Sequence, residues 1–537
     1  MSSRPAAGPD DHPSAHRRCV TGLLADTARE HPGRPAASFP EGQESYAELR
    51  SMTLLAARRL HAAGVSPGDR VGILLRRGSP AYLAHALGAM TLGAICVGVN
   101  ARNKVRELGY VLRHSGMRLL LSDEEFAGLI AQTGLPDGCA AVSLGADAAF
   151  DAGAARVTED DVLALEDRVT RGTHALLLYT SGTTADPKGC LHSHATLLAE
   201  GENCCERLAM TAADRFWTPL PLFHIGGWQV LMTTLSRGAC FSHAGLFEPT
   251  AALDQLERER VTVAFPAFEL IWNDVLSHPR FAEADLGALR AIMNVGAPAR
   301  LEQMQAQVPH AAQISCFGST ESCGSICLGD PLRDSLHSRT HTSGRPMTGV
   351  EVRIVDPDSG AECGPGVPGE MWFRSPTRFV GYYGDPAATG AAVDAGGWFA
   401  TGDLMAWQDD GTLTFMGRLK DMLKVGGENV SAADIEGYLI THPAIAVAAV
   451  VGVPDDRYGE VPAAFVQLAP GAELTEAELV AFCTGRIATY KIPRYLRVLE
   501  EFPVTPTQKI QKYVLRDRMR DELAELGITE APRIAGA

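Results

Sequence analysis

Tyr179-Thr180-Ser181-Gly182-Thr183-Thr184-Ala185-Asp186-Pro187-Lys188-Gly189 follows directly on the apolar run that ends at Leu178. A loop of small residues leaving a strand can turn its backbone N–H groups and hydroxyls toward a phosphate chain, and Lys188 adds a positive charge. The segment reads as a nucleotide phosphate cradle built from Thr180, Ser181, Gly182, Thr183, Thr184 and Lys188. It is not a Walker A sequence, because the Gly-Lys-Ser/Thr ending is missing. Composition alone also fits a surface linker, so the rest of the chain has to decide.

Short apolar runs at 71–75, 94–99, 118–122, 175–180 and 291–295 alternate with helical patterns, the rhythm of α/β layers. From 350 to 373 the pattern changes to closely spaced strands at 350–355, 363–369 and 370–373 with Gly and Pro turns, which predicts a β-rich subdomain. The charged stretch Arg418, Lys420, Asp421 and Lys424 ahead of Gly426 and Gly427 marks a boundary at 418–421. Beyond it, helices at 433–441 and 475–488 and strands at 446–453 and 463–467 predict a small α+β domain over 422–537. The large domain over 19–417 is expected to hold layered α/β subdomains plus the β-rich one, after a disordered leader over 1–18.

A chain of 537 residues predicts three or four packed units at about 150 residues each. A formal charge of -16 argues against nucleic-acid binding, which depends on clustered Lys and Arg. The twelve cysteines form no CxxC pair and two of them, Cys204 and Cys205, are adjacent, so neither a zinc site nor a disulfide framework is indicated. A reducing cytoplasm is the expected location. The segment 1–18 lacks the apolar run of a secretory signal, and the longest apolar stretch, 445–453, is far short of the roughly 20 residues that span a bilayer. No membrane partner is expected.

Four further motifs stand downstream of the loop: Pro221-Leu222-Phe223-His224, Phe317-Gly318-Ser319-Thr320-Glu321, Thr401-Gly402-Asp403 followed by Gly417-Arg418-Leu419-Lys420-Asp421, and the segment 503–509 ending in Lys509. In this order and spacing the chain resembles the adenylate-forming enzymes, the family of acyl-CoA synthetases, luciferases and the adenylation domains of peptide synthetases. The resemblance covers nearly the whole chain after the leader. It implies an ATP-dependent acyl-CoA ligase that joins a carboxylic acid to AMP and then to the thiol of coenzyme A. ATP, Mg²⁺ and coenzyme A are the implied cofactor and co-substrates, and a homodimer is compatible with it.

The resemblance also assigns roles. Phe317 offers an aromatic face to adenine, Gly318 permits close approach, and Ser319 belongs to the same ATP- and AMP-binding segment. Thr320 meets the α-phosphate and Glu321 holds Mg²⁺, with Thr184 as a second metal contact; one well-placed carboxylate suffices because Mg²⁺ takes its other ligands from phosphates and water. Asp403 accepts the ribose hydroxyls, and the Arg418 fork suits the phosphate side. His224 and Lys509 are catalytic, Lys509 bridging carboxylate and α-phosphate as charge develops. Lys420 and Asp421 form a hinge that makes the small domain mobile, and Gly426 and Gly427 leave a channel for the thin pantetheine arm of coenzyme A.

The acyl pocket implied by the same likeness comprises Gly226, Gly227, Trp228, Phe265, Asn294, Val295, Gly296 and Cys316. Its apolar lining, with no acid within 225–230, favours a hydrophobic, bulky, non-amino acid, since an unpaired buried ammonium is costly. Two departures stand out: Ala185 and Gln508 occupy positions where the family usually has Gly. The first leaves open an enzyme that retains mainly thioester formation; carrier-protein loading and luciferase-like chemistry share the same motifs.

Overall fold

A computed structural model describes residues 19–180, 186–504 and 510–534. The expected leader over 1–18 lies outside the described residues. Among those described, two seven-stranded sheets dominate. One runs edge to edge as Ala312–Ile314, Ala291–Val295, Val263–Phe268, Arg215–Thr218, Cys240–His243, Pro35–Phe39 and Gly42–Ser45. Its first six strands are parallel, and a tight antiparallel pair ends it. The other runs Gly381–Tyr382, Lys188–Ser193, His174–Thr180, Ile95–Gly98, Arg70–Leu74, Leu119–Ser122 and Ala140–Ser143. Its five strands from His174–Thr180 onward are mutually parallel.

The main core lies between these sheets. It gathers Ile73, Cys96 and Leu176 from one, Phe216, Phe241 and Met293 from the other, and Tyr82, Leu87, Trp228 and Leu231 from the helices Pro80–Thr91 and Ile225–Arg237. Both helices are buried nearly all round, as a helix with apolar layers on every side must be. Parallel strands covered on both faces explain why the runs read as continuous apolar stretches without alternation.

The β-rich subdomain is a four-stranded antiparallel sheet of Glu351–Val355, Gly369–Arg374, Phe399–Trp407 and Leu413–Arg418. The strand expected over 363–369 does not form before Gly369; Pro365 and Pro368 cannot donate to a ladder. A separate three-stranded sheet pairs Cys316–Ser319 with Gly324–Leu328 and then Arg345–Pro346.

From Met422 onward the chain has cores of its own, drawn only from residues 423–534. A five-stranded sheet is built around the long hairpin Ile445–Asp455 and Gly459–Leu468, with the helices Ala432–Leu439, Glu476–Cys483 and Lys512–Glu525 packed on it. The expected helix over 475–488 stops at Cys483, where Gly485 takes a left-handed φ of 72°. The Arg300 guanidinium donates to the Ala446 carbonyl at 3.2 Å, tying this unit to the large one.

Candidate active site

The parallel strands of the first sheet all deliver their carboxyl ends to one edge, where open α/β sheets bind ligands. After Arg215–Thr218 comes Pro221-Leu222-Phe223-His224; after Val263–Phe268 comes Glu269; after Ala291–Val295 comes Gly296; after Ala312–Ile314 comes the hairpin carrying Phe317 to Glu321. The second sheet meets this edge, because the position of an absent Cβ on Gly98 lies 2.9 Å from the Phe223 Cα. Its strand His174–Thr180 returns as Lys188–Ser193 in an antiparallel hairpin, with Thr180 paired to Lys188. The two ends of the cradle, Thr180 and Lys188, therefore face each other across a ladder. Ser181, Gly182, Thr183, Thr184 and Ala185, and likewise Lys509, lie outside the described residues.

Lys188 and Glu321 are joined through a residue the sequence reading missed. Tyr382 pairs with Cys190 beside the cradle hairpin. The Lys188 Nζ lies 4.6 Å from the centroid of the Tyr382 ring, a cation–π arrangement. The Tyr382 hydroxyl donates to Glu321 Oε1 at 3.0 Å. Burial, and then the Glu321 carboxylate, push the Tyr382 phenol well above its usual range, so at neutral pH it is a donor. The signal that could have found it is the sequence Gly381-Tyr382-Tyr383-Gly384, which was not weighed.

Thr320 and Glu321 sit in a turn clamped by serines. The Ser319 N–H donates to Ser322 Oγ at 2.8 Å, and the Ser322 N–H donates back to Ser319 Oγ at 3.3 Å. Gly318 is needed here for a reason other than ligand approach: a Cβ would stand 1.8 Å from the Gly324 carbonyl oxygen, so the glycine lets the hairpin close on itself. Beneath the turn, the fully buried Glu200 of the helix His194–Arg207 accepts from the Ser325 N–H at 2.8 Å.

Phe317 is half-buried and stacks on Phe415, with ring centroids 5.8 Å apart. Phe415 belongs to the strand Leu413–Arg418, whose last residue faces Asp403 across the ladder. Arg418 Nε lies 3.1 Å from Asp403 Oδ1, the carboxylate buried and the guanidinium nearly half exposed. Thr401 orients this strand end: its hydroxyl donates to the Met371 carbonyl at 2.7 Å and accepts from the Asp403 N–H at 3.1 Å. Leu419–Asp421, which includes Lys420, forms a single turn of tight helix between the two units. Gly426 and Gly427 are the two-residue loop of the hairpin Met422–Val425 and Glu428–Ser431, with φ of 59° and 92°. Positive φ at both positions is what such a loop requires.

His224 caps the helix Ile225–Arg237, its Nδ1 accepting from the Gly226 N–H at 3.2 Å, which places the ring proton on Nε2. Several expected pocket residues face elsewhere. Trp228 is fully buried in the core and donates its indole N–H to the Leu222 carbonyl at 2.6 Å. Asn294 is fully buried and turned outward, 3.2 Å from Gln313 Oε1 and 3.8 Å from Met304 Sδ. A Cβ on Gly226 would lie 2.4 Å from Leu220 Cδ1, and one on Gly227 2.9 Å from the Pro221 carbonyl oxygen; these glycines admit the preceding turn and leave no hollow on that side. Phe265 is buried in the intersheet core, as is Cys316, whose thiol is pushed up to about 12 by burial. Val295 and Gly296 stay at the open edge, Val295 about half exposed. Beside Gly296 stands Glu269, an acid the sequence reading did not consider.

Comparison with known proteins agrees with this arrangement. Residues 24–383 match the AMP-binding enzyme family and residues 434–509 match the AMP-binding enzyme C-terminal domain. The chain is 34% identical to a feruloyl-CoA synthase of Amycolatopsis sp over 88% of its length and 94% of that protein. It is 30% identical to the mitochondrial medium-chain acyl-CoA ligase ACSF2 of Homo sapiens over 94% and 88%. Among solved structures, the anthranilate CoA ligase AuaEII in complex with anthranoyl-AMP matches with a TM-score of 0.85 at 27% identity, covering 94% of this chain and 98% of that one. ATP-bound MatB from Rhodopseudomonas palustris matches with 0.84 at 26%, covering 94% and 99%. The chain belongs to the AMP-binding enzyme family, in its acyl-CoA synthetase branch, and is an AMP-forming acid–thiol ligase.

Proposed function

We propose that this ligase activates a hydrophobic, bulky carboxylic acid in two steps at the common edge of its two parallel sheets. In the first, a carboxylate oxygen attacks the α-phosphorus of ATP and pyrophosphate leaves. In the second, the thiol of coenzyme A attacks the acyl carbonyl and AMP leaves. The observation that carries the reading is three groups of contacts joined by short stretches of backbone: Lys188 with Tyr382 and Glu321; Phe317, on the same hairpin as Glu321, with Phe415; and Arg418, on the strand of Phe415, with Asp403. Groups suited to phosphate, adenine and ribose thus follow one another along a single surface.

Thr180, Lys188 and the cradle residues Ser181, Gly182, Thr183 and Thr184 hold the phosphates, Thr320 meets the α-phosphate, Phe317 supports adenine and Asp403 takes the ribose hydroxyls. Mg²⁺ fits the donor set. Tyr382 engages one lone pair of Glu321, and an ionised carboxylate has about four. Among the described residues no group of three or more His, Cys, Asp and Glu gathers to hold a metal ion. Glu321 and Thr184 would therefore share the ion with phosphate oxygens and water, and when bound it neutralises phosphate charge.

Residues 418–421 serve as the hinge, Lys509 acts in the first step only, and Gly426 and Gly427 border the path of coenzyme A. Val295, exposed at the edge, supports a hydrophobic tail, as do the feruloyl and medium-chain relatives. The cytoplasm suits a chain whose twelve cysteines are all free thiols.

A screen of carboxylic acids with ATP and coenzyme A, reading pyrophosphate and thioester separately, tests the reading. Lys509→Ala should lower acid-dependent pyrophosphate release by on the order of 10² while still making thioester from a ready-made acyl-adenylate. Equal loss of both steps sinks the assignment of Lys509 to one of two conformations, and no turnover with any acid sinks the substrate class.

A further inference from the structure

Glu269 opens the helix Glu269–Leu276 immediately after the strand Val263–Phe268. That strand ends irregularly: its pairing with Ala291–Val295 slips between Ala264 and Ala267, and Ala267 adopts a φ of 66°. Bulges and left-handed non-glycine residues re-aim the side chains that follow and gather at functional sites. Here the side chain re-aimed is a carboxylate. Its register neighbourhood is the active edge, because Phe268 pairs with Val295, the residue before Gly296.

The carboxylate is incompletely served. The Ala297 N–H donates to it and the Arg300 guanidinium lies in its field, yet Oε2 is buried with no hydrogen-bond partner. Buried acceptors are normally paired, and each exception asks for a cause. Only a glycine at 296 lets this oxygen sit against the strand end, since a Cβ there would stand 2.5 Å from Oε2. Burial pushes the Glu269 carboxyl above its ordinary range, against the opposing influence of Arg300 and Ala297. A cationic substrate group would need the ionised acid that burial disfavours, and it would add a second positive charge beside Arg300. A neutral O–H donor meets neither objection.

We propose that Glu269 Oε2 accepts a hydrogen bond from a hydroxyl on the acyl tail, so that the preferred acid is a hydroxylated one rather than a wholly apolar one. This deepens the ligase reading and rests on it. The residue acts in specificity, touching the tail and not the reacting carboxylate.

The test uses matched acids with the same carbon skeleton: ω-hydroxydodecanoic against dodecanoic acid, and hydroxyphenylpropanoic against phenylpropanoic acid. The specificity constant for pyrophosphate release is measured for each with the full chain, with Glu269→Leu and with the isosteric Glu269→Gln. The unmodified protein should prefer the hydroxylated member of at least one pair by on the order of 10- to 100-fold, the range of one hydrogen bond to a buried acceptor. Glu269→Leu should abolish or invert that preference, and Glu269→Gln, which keeps an acceptor oxygen, should retain part of it. Should the leucine variant fail to fold by circular dichroism, the glutamine variant decides alone, through the ratio within each pair. Activation of both members without preference, or an equal fall for both in the variants, overturns the proposal and leaves the ligase reading intact. No activation of any acid overturns both.

Discussion

Glu200→Gln should remove a pH dependence of stability that the buried carboxyl imposes. Glu200 is fully buried on the helix His194–Arg207. It accepts from the Ser325 N–H at 2.8 Å and from the Cys204 thiol at 3.4 Å, and Oε2 is buried without a partner. Burial, partly opposed by those two hydrogen bonds, pushes its carboxyl up to about 8 from an ordinary 4.5. Between these values the folded protein holds a proton that the unfolded chain has released, so the proton's contribution is complete below about 4.5 and is lost as pH rises through about 8. At ~1.4 kcal/mol per pH unit, the whole gap is on the order of 5 kcal/mol, of which the stretch above pH 5 holds about 4. Urea unfolding of the large domain, followed by tryptophan fluorescence between pH 5 and pH 9, measures it. Relative to the glutamine variant, the parent should lose on the order of 4 kcal/mol up to about pH 8 and nothing further above it; other titrating groups cancel in the difference. Parallel stability curves for the two proteins would refute the assignment of the proton to Glu200.

Tyr382→Phe removes the donor to Glu321 while keeping the ring beneath Lys188. A hydrogen bond to a charged group is worth about 1.5–3 kcal/mol, so acid-dependent pyrophosphate release should fall by on the order of 10-fold or more and need more Mg²⁺ for half-maximal rate, with thioester formation from preformed adenylate unchanged; an unchanged Mg²⁺ requirement tells against the link. Trp228→Phe deletes the bond to the Leu222 carbonyl and some core volume, costing about 1–3 kcal/mol of stability. Its substrate profile across chain lengths should match that of the parent, and an altered profile would return Trp228 to the acyl pocket.

What the sequence made legible was order along the chain. The run ending at Leu178 and the small residues after it describe a strand and a loop, and the structure has the strand His174–Thr180 there; the return strand Lys188–Ser193 carried no such signal. The α/β rhythm, the β-rich interval and the small terminal unit are likewise local patterns. What stayed hidden was facing. The strand Ala291–Val295 is covered on both sides, so its residues carry no alternation of polarity to tell one face from the other, and nothing in the sequence shows that Asn294 turns toward Gln313 and Met304. The helix Ile225–Arg237 is buried nearly all round, and Trp228 could not be sorted between core and site. Gly381-Tyr382-Tyr383-Gly384 marks Tyr382 as a candidate, but its link to Lys188 and Glu321 depends on a strand pairing with Cys190 that no local pattern shows. Glu200, by contrast, could have been noticed: it shares a helical stripe with Leu197 and Cys204, and an acid on an apolar stripe is a signal.

The glycines make the sharper case, because each was read as room for a ligand. A missing Cβ is filled by whichever neighbour reaches it first, and for Gly318 that neighbour is the Gly324 carbonyl at 1.8 Å. For Gly227 the Leu220 and Pro221 carbonyl oxygens, at 2.8 and 2.9 Å, take the space. Gly426 and Gly427 are explained by the sign of φ in a two-residue hairpin loop before any passage is considered. Gly296 differs in kind: the atom that takes the place of its missing Cβ is neither backbone nor apolar side chain but the unpartnered Oε2 of Glu269 at 2.5 Å. A backbone neighbour fixes a turn and is indifferent to substrate, whereas an acceptor oxygen without a partner at the active edge distinguishes one acid from another. Substituting Gly296 should therefore change which acids are chosen, while substituting Gly318 should change whether the hairpin closes at all.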